Sequence, residues 1–82
     1  MMHSEQIKKI LAGGLDCETL QVEGDGDHFE ALVVSAQVSG RSRVQRQQMV
    51  NALLRSYFDS GELHALSMKT HTPDEWSVQQ GA

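Results

Sequence analysis

Two of the chain's 4 histidines stand where imidazole could do chemistry. His28 opens the segment His28 to Val38 and His64 opens the segment His64 to Thr70, and both segments read as strands. Neutral imidazole is a common ligand for iron, zinc and copper, and its charge changes near neutral pH. If the two strands are parallel neighbours, both rings face solvent at one end of the sheet and can bind a metal. Ordinary strand-start histidines with satisfied hydrogen bonds would show the same spacing, and on spacing alone that is the first reading and a metal site the second. His3 and His71 read as surface residues. Cys17 lies in a loop between Asp16 and Glu18. Neighbouring carboxylates raise a thiol's pKa, so a passive thiol is the first reading and a soft iron or zinc ligand the second. Asp25 and Asp27 lack the spaced ligands and terminal Glu of a calcium loop, so they read as turn residues.

A second group is basic. Three of the chain's 7 Lys and Arg residues, Arg41, Arg43 and Arg46, surround Gly40 and Ser42 at the entrance to a helix. A helix start of this kind can hold phosphate. The loop is not GxxG and no aromatic residues interleave with the bases, so an acidic protein surface is an equally good target. Net charge is −4, which argues against a dedicated nucleic-acid binder. The charges are segregated, however: 6 of 11 acids lie between Asp16 and Glu30, so a local basic patch can still act.

Enzyme chemistry has little support. No GxSxG, P-loop, HExxH or GxGxxG is present, and a chain of 82 residues with one small core has little space for a deep cleft. A lone Cys excludes an intramolecular disulfide and a self-contained Cys-rich zinc site. No apolar run approaches the roughly 18 residues of a membrane span, and the start Met1-Met2-His3-Ser4-Glu5 lacks a signal-peptide layout. The expectation is a non-enzymatic, cytoplasmic protein with no membrane partner.

The elements that must position these residues follow from local pattern. The length predicts a single domain over 1–82, with an ordered core of about 4–78. Ile7, Ile10 and Leu11 share one helical face, with Ser4 as N-cap and Gly13-Gly14 as the stop. Thr19 to Glu23 alternates as a strand, and Gly24-Asp25-Gly26-Asp27 forms the turn of a hairpin. His28 to Val38 is apolar on both faces, which marks an interior strand. Ser42 and Gln45 form a capping box for a helix to about Ser60, with Val50, Leu53, Leu54, Tyr57 and Phe58 as its apolar stripe. Thr72, Pro73 and Glu75 start a last helix carrying Trp76. The predicted fold is α+β in the order α-β-β-α-β-α: a three-stranded mixed sheet, strands two and three parallel, with helices packed on one face.

These residues also carry a resemblance. His28-Phe29 leading into Leu32-Val33-Val34-Ser35, then Gly40-x-Ser42-x-Val44-x-Arg46-Gln47, Val50, His64-Ala65-Leu66 and Lys69-x-x-Thr72-Pro73-x-Glu75-Trp76 resemble the BolA family. The resemblance runs from about Glu5 to Trp76, and the short GDGDHF hairpin looks most like the family's bacterial IbaG branch. It implies a fold similar to a type II KH domain, with an extra short helix falling at 40–46. It also implies a partner, a CGFS monothiol glutaredoxin, and a [2Fe–2S] cluster shared with that partner and glutathione, with no cofactor on the chain alone. The implied role is iron–sulfur cluster trafficking or iron and stress regulation.

The family's cluster ligand at the start of strand three maps onto His64. The second ligand comes from a longer first hairpin loop in the family; here the aligned position is near Asp25, a poor iron ligand, and His28 is the nearest candidate, with Cys17 the other. Some family members are described as DNA-binding regulators, a role that Arg41, Arg43 and Arg46 would serve as the alternative.

Overall fold

The computed structural model describes residues 2–81. Helix α1 spans Ser4–Gly14 and buries Ile7 and Leu11. Its cap is His3 rather than Ser4, because the Gln6 side chain reaches back and its Oε1 accepts the His3 N–H at 2.8 Å. The helix also runs through Gly13 and Gly14 and ends at Leu15, whose N–H donates to the Leu11 carbonyl at 2.9 Å. Gly14 serves packing: a Cβ there would collide with the Leu53 side chain. Met2, 1% exposed, belongs to the same hydrophobic core cluster as Ile7 and Leu11.

Strand β1, Thr19–Gly24, pairs antiparallel with β2, His28–Val34, and β2 pairs parallel with β3, Ala65–His71. The order β1-β2-β3 puts β2 in the centre, as its two apolar faces predict. Phe29, Ala31 and Val33 point into the core, joined there by Leu66 and Met68 of β3. β2 stops at Val34, short of the expected Val38. The buried Ser35 hydroxyl turns the chain by donating to the Asp16 carbonyl at 2.7 Å and accepting the Gln37 N–H at 3.1 Å. A short 3-10 turn, Ala36–Val38, follows.

The long helix is two helices. α2 spans Arg43–Leu53 and carries the predicted capping box: Ser42 N–H donates to Gln45 Oε1 at 2.8 Å and Gln45 N–H to Ser42 Oγ at 3.2 Å. Leu54 leaves helical geometry at φ −109°, ψ 7°, and α3, Arg55–Ser60, restarts from it. The break lets Leu54 bury completely beside Val50, while Tyr57 and Phe58 pack on the core from a new direction. Gly61 then ends α3 at φ 81°, a left-handed value that a side chain would strain. The extra helix of the fold is therefore this second half, not a segment at 40–46. Helix α4, Pro73–Gly81, lies against β3 and brings Trp76 and Gln79 to a groove shared with Glu30, Leu32 and Lys69. The result is the expected α+β domain with a three-stranded mixed sheet.

Candidate metal-binding end of the sheet

Parallel pairing of β2 and β3 sets His28 opposite Ala65, so His28 and His64 stand at the same end of the sheet. Both side chains are exposed. His64 sits one residue before β3 begins. The hairpin turn positions its neighbour. Asp25 Oδ1 accepts the backbone N–H groups of Asp27 and His28, each at 3.0 Å. Those two donors hold the Asp25 carboxyl below its ordinary range. Asp25 is thereby a staple of the turn. Gly24 closes the same turn, where a Cβ would collide with the His28 carbonyl and the Phe29 ring.

With the turn so fixed, Asp27 Oδ1 lies 3.8 Å from His64 Nδ1, the two side chains being 65% and 66% exposed. Sequence reasoning took Asp27 for a turn residue only and missed this pairing, which depends on the β2–β3 register. Among the described residues, no group of three or more His, Cys, Asp or Glu side chains could hold a metal ion. This end therefore cannot close a four-ligand site by itself. It can supply the His64 imidazole to a metal whose other ligands come from elsewhere; His28 shares this end but is paired with Ala65, and alternation turns its side chain to the face opposite that of His64.

Cys17 is not brought to this end. Glu18 N–H donates to the Val34 carbonyl at 2.7 Å and Thr19 pairs with Val34, which puts Cys17 at the far end of β2. Seven residues of strand separate the ends by about 20 Å. Burial, and then the Asp16 carboxylate, push the thiol pKa up, in keeping with a passive thiol.

The basic entrance to α2 is only partly free. Arg46 is 13% exposed and grips Glu75 with both terminal nitrogens, at 2.7 and 3.1 Å. Its Nε donates to the Arg41 carbonyl at 3.0 Å and its Nη1 also lies 3.4 Å from the Thr70 carbonyl. Glu75 Oε1 accepts the Thr72 N–H as well, at 2.9 Å, and Glu75 N–H donates to Thr72 Oγ1, which is the predicted capping box. The Arg46 guanidinium, followed by the Thr72 amide, pulls the Glu75 carboxyl down to about 2. Arg46 thus ties α2 to α4 and to β3, and of the three arginines only Arg41 and Arg43 remain exposed. Beside this tie, His71 stacks on Trp76 with ring centroids 5.5 Å apart.

A sheet running antiparallel then parallel, with a helix pair in the crossover and a closing helix on the edge strand, defines a small α+β domain of the BolA-like type. The BolA-like protein profile matches residues 2–75, and the chain belongs to the BolA family, in its IbaG branch. It is 37% identical over 76 residues to the acid stress protein IbaG of Escherichia coli K12, covering 93% of this chain and 90% of that one. A BolA protein homologue from Coxiella burnetii superposes with a TM-score of 0.82 at 38% identity, covering 94% of this chain and 99% of the other. A BolA-like protein from Babesia bovis superposes with a TM-score of 0.85 at 28% identity, covering 98% and 95%. No helix among the described residues is long and apolar enough to cross a membrane.

Proposed function

We propose that this chain is an adaptor that pairs with a CGFS monothiol glutaredoxin and shares a [2Fe–2S] cluster with it, in iron–sulfur cluster trafficking or iron and stress regulation. The observation that carries this reading is the exposed His64 at the end of the parallel strand pair, with His28 on the neighbouring strand. The donor set fits a shared cluster: the exposed His64 imidazole suits one iron, and thiolates from glutaredoxin and glutathione suit the other. When bound, the cluster supplies a redox-active, transferable iron–sulfur unit. The chain's own residues hold and orient. Asp27 places a carboxylate 3.8 Å from Nδ1 of His64, within reach of orienting the ring should the side chains close up. Asp25 keeps the turn in place and so keeps Asp27 and His28 in register.

The test mixes this protein with a CGFS glutaredoxin, glutathione, iron and sulfide, and records the visible spectrum of the resulting heterodimer. His64→Ala is expected to alter that spectrum while leaving the domain folded. An unchanged spectrum in the mutant heterodimer removes His64 from the site. The DNA-binding alternative has lost Arg46 to Glu75, and no observation favours it over the cluster reading.

A further inference from the structure

The free edge of β3 is a second place where the molecule offers binding groups, and the basic groove beside it lies toward the His71 end of the strand. Among the described residues β3 pairs only with β2, so its outer backbone has no strand partner there. Backbone directions follow from two bonds. The His71 carbonyl accepts Ser35 N–H on the β2 side at 3.0 Å, while the Thr70 carbonyl faces Arg46 on the outer side. Alternation along the strand then turns the N–H and C=O groups of Leu66 and Met68 outward with those of Thr70.

A groove of about 390 Å³ runs along this edge between the start of α2 and α4, bordered by Arg41, Arg43, Gln47, Lys69, His71 and Gln79. Arg41, Arg43 and Lys69 are exposed cations, and Arg46 below them is already neutralised by Glu75. The groove is therefore a positive surface on a chain of net charge −4. It combines a ladder of outward backbone donors and acceptors with fixed positive charge beside it.

We infer that this edge docks an extended acidic peptide segment of a partner protein, which adds to β3 as a fourth strand and sets its carboxylates against Arg41, Arg43 and Lys69. Backbone pairing along Leu66 and Met68 supplies register, the Thr70 carbonyl being already taken by Arg46, and the cations supply selection for acidic side chains. Nucleic acid fits the same charges less well. No Phe, Tyr or Trp borders this groove to stack bases, His71 is already stacked on Trp76, and the backbone ladder would go unused. The cations of this site, Arg41, Arg43 and Lys69, lie toward the His71 end of β3, away from His64.

The experiment uses the full chain with fluorescein-labelled peptides of alternating Glu and Val, and follows anisotropy and amide NMR shifts. Expected results are saturable binding that weakens with salt, shifts concentrated at Leu66 to Thr70, and loss of binding when alternate peptide amides are N-methylated. Arg41→Glu combined with Arg43→Glu is expected to weaken binding by about tenfold or more, with an unchanged circular dichroism spectrum. Peptide binding indifferent to N-methylation overturns strand addition. Tighter binding of a duplex or single-stranded DNA oligonucleotide, lost in the same double variant, overturns the peptide in favour of nucleic acid. No binding of the Glu–Val peptide at low salt also overturns the inference, and none of these outcomes bears on the His64 spectrum.

Discussion

The two ends of the sheet are made from the same strands and treat their polar side chains in opposite ways. At the His71 end, Arg46 bonds Glu75, Arg41 and Thr70, Glu75 also bonds Thr72, and His71 rests on Trp76. At the His64 end, the turn is held by the Asp25 carboxylate, and His28 and His64 stay exposed, with Asp27 Oδ1 3.8 Å from His64 Nδ1. A side chain whose bonds serve the fold is a poor ligand, whereas an exposed imidazole on a rigid strand start is available at little cost. Charge alone did not separate the two: Arg46 belongs to a basic run in the sequence and is a structural tie in the fold.

The largest effect should come from removing what both ends share. Phe29→Ala empties the core directly behind His28 and is expected to cost about 3–5 kcal/mol, read from the urea midpoint. Arg46→Ala should come next and act at one end only: lower thermal stability, with amide exchange quickened in α4 and little changed at the His28 turn. Acid titration sharpens the same contrast. Glu75 has a folded pKa of about 2 against an ordinary 4.5, so its contribution is full above the ordinary value and is lost as pH falls from about 4.5 toward 2. Glu75→Gln should flatten the stability profile across that window in urea melts at stepped pH.

His64→Ala should behave differently, staying within about 0.5 kcal/mol of the parent in the same melts. A loss as large as that of Arg46→Ala would erase the distinction between the ends. Smallest of all, Asp27→Asn should leave stability unchanged and reduce cluster retention in the glutaredoxin complex less than His64→Ala does. Visible absorbance during challenge with an iron chelator measures that difference.

Most elements were legible because their causes are local. The alternation of β1, the two-faced apolar run of β2, and the capping boxes at Ser42 and Thr72 each depend on residues within about four positions of one another. The central place of β2 and its parallel pairing with β3 followed from that pattern and from the length of the crossover. Where local signals failed, a distant contact had decided. Leu54 interrupts the helical stripe at φ −109°, ψ 7° while fully buried, and β2 ends at Val34, where the next residue's hydroxyl, that of Ser35, finds the Asp16 carbonyl.

The candidate site divides along the same line. The sequence singled out His64 as a candidate ligand, with His28 or Cys17 as the second, and through the strand order it placed His28 and His64 at one end. Only the tertiary structure decided the rest. Register sent Cys17 to the opposite end, set Asp27 against His64, and joined Arg46 to Glu75 across 29 residues of chain. Local propensity reaches only a turn or so along the chain, whereas these pairings exist only once helices and strands have closed on a common core and fixed the distances between them.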